Sequence, residues 1–493
     1  MNWNQLMSPE RIRQYTKKKT SNDLRTEFEM DYHRIIASAS FRRLQDKTQV
    51  FPLDKSDFIR TRLTHSLEVS SLAKSLGQNI ANSILVGGLD EEFTVQTKMD
   101  ICDVLQCAGL LHDIGNPPFG HFGESAIQDW FKKNLPLLKY NGRPLTEILT
   151  RQMQEDFYNF EGNTQALRVV TKLHFLVDEN GMNLTKALLG TIMKYPGSSL
   201  EIGYHKKDPE RDIKRKKMGY FYADRETYQS VQDATGTNGS RHPLAFALEA
   251  ADDIAYKTAD IEDAVKKGCL SYEKLVQELK TALDAAKITE FIGTGAGEGQ
   301  ADGTIEAYQK LVDKLERNHR KAIEKVYENP ELYAVQNWVV SVQGAMLSYA
   351  AEGFTKHYAE IMSGTYKKEL IKETDGDLLM ETLGDIAYRY AFISKPILKL
   401  EVSADAIFDF LLTRFTEAFL YYDTPEWNDR ATAVNEKMTL LISENYKRIY
   451  QTYSRDKDEA ERLYLRLLLV TDYVCGMTDS YAKRMYQELR GIE

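Results

Sequence analysis

Two histidines and one aspartate stand where imidazole and carboxylate groups could share a cation. His65 lies in an amphipathic helical stretch, and the adjacent pair His112 and Asp113 ends an apolar one. An imidazole nitrogen beside a carboxylate oxygen offers two ligands to one borderline cation. Burying Asp113 unpaired after so apolar a run would be costly, which favours a bound cation. The alternative is that Asp113 caps the segment that follows it.

A further carboxylate lies in the stretch LAFALEAADDIAYKTADIEDA (244–264). Asp252, Tyr256 and Asp260 recur every four residues and therefore share one face of a helix, on its apolar side. Two histidines and two aspartates together predict a four-ligand site suited to Mn²⁺, Mg²⁺ or a similar divalent ion. The neighbouring Asp253 competes with Asp252, which is preferred because Tyr256 and Asp260 share its face.

The elements that must position these residues have the period of α-helices. Around His65 the apolar positions recur at spacings of four or five, as one helix face requires: Leu63, Leu67, Leu72, Leu76 and Ile80. Similar patterns occupy 101–112, 244–267, 305–327, 331–351, 381–392, 404–421 and 433–453. Strand-like stretches are few, at 198–204, 218–223 and 396–402. The predicted fold is therefore all-α, with few short strands.

Two polar stretches are predicted as loops, 230–241 and 293–303. The second carries glycines at 293, 295, 297, 299 and 303, but Glu298 and the absence of a following GK[ST] argue against a phosphate-binding loop. It is predicted to connect an N-terminal region, 1–292, to a C-terminal helical region, 304–493, packed on the same body. The predicted ligands, from 65 to 252, all fall in the N-terminal region.

Composition narrows the class of protein. The chain has 493 residues, 42% of them hydrophobic and 28% charged, with a net charge of −9. These values are ordinary for a folded globular protein and argue against a general polyanion binder. No apolar run is long enough to span a membrane, and the N-terminus lacks the apolar core of a signal peptide. The sequence thus predicts a cytoplasmic protein without a membrane partner.

The order His65, His112–Asp113, Asp252 resembles the H…HD…D pattern of the HD-domain metal-dependent phosphohydrolases. The flanking segments resemble the deoxyguanosine triphosphate triphosphohydrolase family much more specifically, from about residue 8 to 485. They are RTEFEMDYHRIIASASFRRLQDKTQVFPL (25–53), RTRLTHSLEV (60–69), LLHDIGNPPFGHFGE (110–124), FEGNTQALR (160–168), EAADDIAY (249–256) and DYVCGMTD (472–479).

This resemblance implies an HD-domain helical core, elaborated by the C-terminal helices, that splits a deoxynucleoside triphosphate into deoxynucleoside and inorganic triphosphate. It implies that the metal ligands are His65, His112, Asp113 and Asp252. The ion would polarise an α-phosphoryl oxygen and help to produce a hydroxide-like nucleophile. His121 would be the general acid for the 5′-oxygen, and Glu124 would orient it and support its charge. A loop histidine capping a helix is the alternative for His121.

The resemblance also suggests substrate contacts. Phosphoryl oxygens would be bound by Arg62, Asn163 or Arg168, Lys194 and Tyr195. The sugar would lie against Tyr256, whose ring excludes a 2′-hydroxyl, and Asp260, which accepts from the 3′-hydroxyl. Gln49 and Val50 match the segment that lies against the sugar and the base.

Relatives of this family imply partners as well. They are homotetramers or homohexamers, and this chain resembles the hexameric kind. Some respond to a nucleotide or to single-stranded DNA, for which the basic run Lys214–Lys217 and the aromatic stretch Gly219–Tyr222 are candidates, although a solvated loop is an equal alternative. Other readings of the whole chain are an HD phosphodiesterase or nucleotidase acting on another nucleotide, and a non-catalytic nucleotide or single-stranded-DNA sensor.

Overall fold

The computed structural model describes residues 1–13, 22–50, 59–174, 180–203, 211–292, 300–393 and 395–492. Helices dominate these ranges, and the prediction of an all-α fold is confirmed. The regular strands within them form one short antiparallel hairpin, in which β1 (Lys139–Tyr140) pairs with β2 (Arg143–Pro144). Within the same ranges, no helix is both long and apolar enough to cross a lipid bilayer.

The helices up to the predicted ligand Asp252 are α1 (Trp3–Leu6), α2 (Glu27–Ala37), α3 (Ala39–Arg42), α4 (Arg62–Gly87), α5 (Val95–Leu111), α6 (His121–Asn134), α7 (Leu145–Ile148), α8 (Arg151–Tyr158), α9 (Gly162–Arg168), α10 (Lys186–Ile192), α11 (Arg225–Thr235) and α12 (Pro243–Lys266). Those that follow are α13 (Tyr272–Ile292), α14 (Gln300–Glu324), α15 (Pro330–Lys356), α16 (Tyr358–Ser363), α17 (Asp377–Ala387), α18 (Lys395–Phe419), α19 (Trp427–Arg430), α20 (Ala433–Leu441), α21 (Glu444–Tyr453), α22 (Glu459–Cys475) and α23 (Asp479–Arg490).

Shorter helical turns join some of these elements. Turns of 3₁₀ type span Arg43–Asp46, Ser199–Glu201, Ile213–Arg215 and Tyr222–Asp224, and π turns span Val169–Leu173 and Tyr388–Phe392. The strand-like stretches expected at 198–204, 218–223 and 396–402 are therefore not strands where they are described. The first two contain short helical turns, and the third lies within α18.

Two other predicted boundaries differ from the structure. The loop expected at 230–241 is wrong for its first half, since α11 continues to Thr235 and ends at the left-handed Gly236. The helix expected at 433–453 is interrupted between α20 and α21, where Ile442 is extended. Of the glycine-rich stretch, 293–299 lie outside the described residues, and α14 begins at Gln300. The division at 293–303 stays a prediction.

Helices α4 and α5 pack against each other at backbone distance. A Cβ on Gly109 would lie 2.5 Å from the Cα of Ser70, so only glycine allows this approach. The Ser70 hydroxyl donates to the carbonyl of Gln106 (2.8 Å) across the same contact. The predicted apolar face of α4 is partly wrong, because Leu67 is exposed and small side chains such as Ala73 are buried. The close approach brings His65 and His112 together.

The described hydrophobic side chains form two cores. One surrounds α4, α5, α12 and α15, and the other surrounds α6, α8, α18 and α22. The segment between α5 and α6 passes from the first core, where Ile114 is buried, to the second, where Phe119 is buried. Phe122 packs against both. Residues of this segment therefore lie where the two cores meet.

Candidate metal centre and active site

His65, His112 and Asp113 form a cluster of ligand atoms inside the first core. One ligand atom from each lies within 4.8 Å of the others, and the two imidazole rings are 5.2 Å apart at their centroids. Helix α4 positions His65 one turn after its cap at Thr61. His112 and Asp113 follow the end of α5, where the chain leaves the helix. The sequence motif therefore brings both elements to one point.

The cluster contains buried nitrogens that have no hydrogen-bond partner. These buried, unpartnered atoms are both ring nitrogens of His65 and the Nε2 of His112. The Nδ1–H of His112 donates to the carbonyl of Gly109 (2.8 Å), which fixes the tautomer and leaves the Nε2 lone pair available. Burying unpaired polar atoms costs about 1–3 kcal/mol each, so a bound cation is the economical partner for these lone pairs.

Asp252 on α12 completes the arrangement. Its Oδ1 lies 3.4 Å from the Nε2 of both His65 and His112, and its Oδ2 accepts from Lys194 Nζ (2.7 Å). Burial alone would raise the pKa of Asp252, but the charges of Lys194 and His112 hold it well below its ordinary value. Its neighbour Asp253 pairs instead with Lys257 (3.5 Å). The geometry thus favours Asp252 over Asp253.

Asp113 is held in place by two further side chains. Its Oδ1 accepts from Asn116 Nδ2 (2.7 Å), and its Oδ2 pairs with Arg62 Nη1 (2.5 Å) while lying 3.3 Å from His112 Nε2. Although burial opposes ionisation, Arg62 and His112 keep the pKa of Asp113 well below its ordinary value. Two imidazole nitrogens and two ionised carboxylates around one point suit a divalent ion such as Mn²⁺ or Mg²⁺, so these residues fit the metal expected from the sequence.

A strained turn leads from this cluster to His121. Phe119 and Gly120 both have a φ of 61°, a region that side chains disfavour and that costs a residue such as Phe119 on the order of 1–3 kcal/mol. A Cβ on Gly120 would collide with the guanidinium of Arg62, so the turn lies directly against the cation that binds Asp113. Helix α6 then begins at His121.

His121 and Glu124 form a hydrogen-bonded pair on the first turn of α6. The Nδ1 of His121 lies 2.7 Å from Glu124 Oε2, and the amide of Gly162 donates to Glu124 Oε1 (2.7 Å). The charge of Glu124 and its hydrogen bond with His121 raise the pKa of His121. Burial opposes the Glu124 charge, but His121 and Lys217 bring the pKa of Glu124 to about 2. The His121 side chain is 75% exposed, so its imidazole faces open space, and its raised pKa favours the protonated form.

The predicted sugar contacts lie on α12 beyond Asp252. Asp260 is almost completely buried, and neither of its carboxylate oxygens has a hydrogen-bond partner. Burial and the nearby charge of Asp263 raise the pKa of Asp260 well above its ordinary value. Tyr256 is half-buried on the same face. Such an orphaned carboxyl group can exchange a hydrogen bond with a hydroxyl of a bound molecule.

The predicted contacts Gln49 and Val50 end the described segment that precedes α4. Val50 is buried, and the Oε1 of Gln49 is buried without a hydrogen-bond partner. The bridge between Thr48 and Thr61 holds this segment beside the start of α4. Gln49 is therefore another polar group whose oxygen is unsatisfied by the protein.

The other predicted phosphate contacts differ in their surroundings. Lys194 donates to the carboxylate of Asp252. The hydroxyl of Tyr195 instead donates to Glu249 (3.4 Å), which also accepts from Arg241 (2.7 Å). Tyr195 therefore supports a buried ion pair beside the cluster. Asn163 at the start of α9 is half-buried, and its Nδ2 donates to Glu161 (2.7 Å).

Arg168, the alternative to Asn163, is enclosed in the protein. Its guanidinium binds both oxygens of Asp472 on α22, at 2.8 and 2.7 Å, and both side chains are buried. A guanidinium satisfied in this way has no face left for a phosphate. The structure therefore argues against Arg168 as a substrate ligand and assigns it to the packing of α9 on α22.

Comparisons with known proteins agree with this geometry. A model of the HD domain matches residues 62–193, which include His65, His112 and Asp113. A deoxyguanosinetriphosphate triphosphohydrolase-like protein of Listeria monocytogenes is 44% identical over the full length of both chains. The chain belongs to the deoxyguanosinetriphosphate triphosphohydrolase family. A deoxyguanosinetriphosphate triphosphohydrolase of Salmonella arizonae is 30% identical, over 96% of this chain and 95% of its own. A deoxyguanosinetriphosphate triphosphohydrolase-like protein of Synechocystis is 30% identical over both full lengths.

Membership of this family makes the protein a metal-dependent hydrolase of the HD-domain type. The matched region ends before α12, so Asp252 reaches the cluster from outside it. The cluster of His65, His112 and Asp113 is therefore approached by a carboxylate from a helix that the domain match does not include.

Lys217 is a site residue that sequence reasoning missed. Its Nζ pairs with Glu161 (2.7 Å), and its charge acts on both His121 and Glu124. It belongs to the basic run that the sequence suggested as a solvated loop or an effector surface. The sequence offered one sign of this packing, the glycine at position 219. A Cβ on Gly219 would collide with the carbonyl oxygen of Tyr195. Gly219 therefore allows the end of the basic run to pack closely against the Lys194–Tyr195 segment.

The aromatic stretch beside this run packs against other aromatic side chains of the protein. Phe221 is fully buried, Tyr220 stacks on Tyr228 at 4.1 Å, and Tyr222 meets the edge of Tyr464. Phe221 is therefore not available for stacking bases, whereas Tyr220 and Tyr222 are half-buried, and a role of this stretch in effector binding stays a prediction.

Proposed function

We propose that the protein hydrolyses dGTP, and other deoxynucleoside triphosphates less well, to the deoxynucleoside and inorganic triphosphate, and so controls dNTP pools. The observation that carries this proposal is the exposed imidazole of His121, which is hydrogen-bonded to Glu124 beside the Arg62–Asp113 pair. Release of a nucleoside 5′-oxygen requires a proton, because an alkoxide is a poor leaving group. The names of the relatives support dGTP as the substrate.

His65, His112, Asp113 and Asp252 would hold the metal ion, Mn²⁺ or Mg²⁺ in our proposal, although another divalent ion would also suit these ligands. When bound, the ion would polarise an α-phosphoryl oxygen and lower the pKa of water near it. Arg62 and Lys194 already neutralise one carboxylate each, and we place them against the α-phosphate oxygens. Lys217 and Asn163 are placed along the β- and γ-phosphates, beside Glu161.

In the reaction, a water oxygen bonds to the α-phosphorus while the bond from phosphorus to the 5′-oxygen breaks. His121 donates its Nε2 proton to the departing 5′-oxygen, and Glu124 stabilises the imidazolium before that transfer. The proton lost by the attacking water later restores His121, so the balance is one water consumed for one deoxynucleoside and one triphosphate. Glu124 is itself fixed by the Gly162 amide, which keeps the pair aligned.

The deoxyribose is placed along α12. Asp260 would exchange a hydrogen bond with the 3′-hydroxyl, which supplies the partner that its buried oxygens lack. The Tyr256 ring, one turn closer to Asp252, would leave no room for a 2′-hydroxyl. Gln49 and Val50 would lie against the sugar and the base, and Tyr195 would keep Glu249 and Arg241 fixed beneath Lys194.

The family resemblance also supports a homo-oligomer, for which we favour a hexamer over a tetramer, and a local site for a nucleotide or single-stranded-DNA effector. Light scattering after gel filtration, with and without each nucleotide, measures the first. The salt dependence of any stimulation of turnover measures the second.

Product analysis tests the proposed activity. Full-length protein with Mn²⁺ or Mg²⁺ and each dNTP in turn should release intact triphosphate, most rapidly from dGTP. Release of orthophosphate or of a nucleoside monophosphate would instead support a phosphodiesterase or nucleotidase. Binding of dGTP without turnover would support a sensor.

The variant His121→Ala tests the role of the acid. Removing a positioned general acid should lower kcat by about 10²–10⁴-fold while Mn²⁺ affinity is retained, because the four proposed ligands are untouched. His33→Ala removes an exposed histidine of α2 and should leave kcat unchanged. Turnover of His121→Ala close to that of the wild type would refute the assignment.

A further inference from the structure

Asp479, the first residue of α23, binds two distant segments of the chain at once. Its Oδ1 accepts from the amide of Phe119 (2.9 Å), 360 residues away. Its Oδ2 accepts from both the amide (2.9 Å) and the hydroxyl (2.5 Å) of Thr48. The carboxylate is 1% exposed. One buried charge therefore satisfies two backbone amides and a hydroxyl that belong to different segments.

Both bound amides immediately precede proposed active-site residues. Thr48 is followed by Gln49 and Val50, and Phe119 is followed by Gly120 and His121. Phe119 occupies a left-handed conformation, which persists only where the surroundings enforce it. Without the carboxylate its buried amide would lack a partner, and the turn could relax toward an ordinary backbone conformation.

A second charged side chain, Lys47, binds the same turn and the same junction of helices. Lys47 Nζ donates to the carbonyl of Asn116 (2.5 Å) and to the carbonyl of Cys475 at the end of α22 (2.9 Å). A cation suits the C-terminus of α22, and an anion suits the N-terminus of α23. Through these hydrogen bonds, Lys47 and Asp479 connect the 47–48 segment and the turn before α6 with the junction of α22 and α23.

The side chain of Phe119 adds a contact to the second core. Its ring is buried and meets the edge of Phe408 on α18, with centroids 6.4 Å apart. The amide and the ring of Phe119 are therefore both held by residues of the C-terminal region, whereas His65 and Asp252 lie on α4 and α12 and His112 directly follows α5. The ligands His65, His112 and Asp252 thus have supports separate from that of the acid.

We propose that Asp479 is a positioning residue for catalysis, which orients His121 and the Gln49–Val50 segment while leaving the metal cluster intact. This inference rests on the proposed function, because the His121 acid acts in that reaction. It makes the start of α23 part of the machinery that sets kcat, although it touches neither the substrate nor the metal.

The test compares Asp479→Asn with Asp156→Asn in the full-length protein. Asp156 is an equally buried carboxylate that accepts from the amide of Tyr222 (2.7 Å) and the hydroxyl of Ser199 (2.6 Å), away from the turn. Asp479→Asn should lower kcat for dGTP by about 10- to 100-fold, as expected when a catalytic group is misplaced by about an ångström, and should raise KM. Its Mn²⁺ affinity should stay within about twofold of wild type, because no proposed ligand moves. Asp156→Asn should lower Tm and leave kcat unchanged.

Hydrogen exchange supplies a readout independent of turnover. In Asp479→Asn, peptides covering 46–50 and 117–121 should exchange faster, while the peptide covering 105–113 should not. Unchanged kcat, or unchanged exchange in both segments, would overturn the inference. Equal losses of kcat in both variants would also overturn it, since the effect would then be global.

If Asp479→Asn fails to fold, Thr48→Val replaces it. This variant removes one donor to Asp479 and should raise KM for dGTP with a smaller effect on kcat, because it touches only the Gln49–Val50 side. An unchanged KM would count against the inference. If the wild type released no triphosphate, the proposed function would fall, and the exchange measurement would still decide whether Asp479 fixes the turn.

Discussion

At the scale of residues, four of the carboxylates near the proposed reaction each pair with a cation. The pairs are Asp113 with Arg62, Asp252 with Lys194, Glu124 with His121 and Glu161 with Lys217. Although burial opposes ionisation, the nearby positive charges lower the pKa values of Asp113, Asp252 and Glu124, so these three carboxylates are available as ligands and as supports. Burial raises the pKa of Glu161. The pairing also explains how a chain of net charge −9 can accept a triphosphate, since the cations are placed locally.

The variant Glu124→Gln should change the pH dependence of kcat. His121 acts in its protonated form, and the charge of Glu124 raises its pKa, so activity should persist above the pH at which an ordinary histidine deprotonates and fall as pH rises through the raised pKa. Removing that charge lowers the pKa, and the alkaline limb of the kcat profile should move to lower pH. Steady-state kcat measured with saturating dGTP between pH 6 and 10 checks this.

The glutamine in that variant can still accept from the Gly162 amide, so the fold around α6 should persist. Glu147→Gln, at an exposed position of α7, is the matched control and should leave the profile in place. An alkaline limb that stays at the wild-type position in Glu124→Gln would show that another group controls it.

At the scale of elements, the sequence predicted the helices better than their faces. The residue types suggested one site for His65, His112 and Asp252, and the resemblance to the H…HD…D pattern predicted that they bind one ion. The buried face of α4 could not be read from hydrophobicity, since Ser70 and Gly77 pack by backbone proximity, while Leu67 is exposed.

Contacts between distant segments also escaped prediction. Lys217 follows three other basic residues, and its sequence neighbours resemble a solvated loop. Its pairing with Glu161 depends on how 217–219 packs against 195–197, which no local pattern encodes. Asp479 was part of a recognisable motif, but its partners lie near the opposite end of the chain. Long-range hydrogen bonds are set by tertiary packing, so a motif can be visible while its role is not.

The variant Gly109→Ala should separate α4 from α5. The added Cβ would meet backbone atoms of Ser70, which cannot rotate away, so we expect the free energy of unfolding to fall by about 2 kcal/mol or more. Because the Gly109 carbonyl also orients His112, Mn²⁺ affinity should fall by about tenfold. Urea denaturation and calorimetric titration measure the two effects.

Gly344→Ala on α15 is the control for that variant. Among the described residues, and apart from the backbone of the same helix, no heavy atom lies within 4 Å of the added Cβ, so the change should be neutral or stabilise the helix by about 0.5–1 kcal/mol. Wild-type stability and metal affinity in Gly109→Ala would mean that the helices accommodate a wider separation.

At the scale of the whole molecule, the site lies where two hydrophobic cores meet. The proposed metal ligands belong to helices of the first core, and α6, which carries His121, packs in the second. This division does not follow the predicted boundary at 293–303, because α6 and α8 join C-terminal helices, whereas α15 and α17 join α12. The alignment of acid and metal therefore depends on the contacts that fix one core against the other.

The Arg168–Asp472 pair is one of these contacts, and Asp472→Ala should be strongly destabilising. The pair joins α9 to α22 with both side chains buried, and Asp224 lies 3.4 Å from the same guanidinium while also pairing with Lys172. Removing Asp472 leaves two buried cations against one carboxylate, for which we expect a loss of about 3–5 kcal/mol in the free energy of unfolding. Glu306→Ala breaks an exposed pair with Lys310 and should leave the free energy of unfolding nearly unchanged. Denaturant unfolding of both variants gives the comparison, and equal small losses would mean that water or Asp224 compensates Arg168.

Because α9 also supplies the Gly162 amide to Glu124, the surviving folded Asp472→Ala protein should show a lower kcat, with Mn²⁺ affinity preserved.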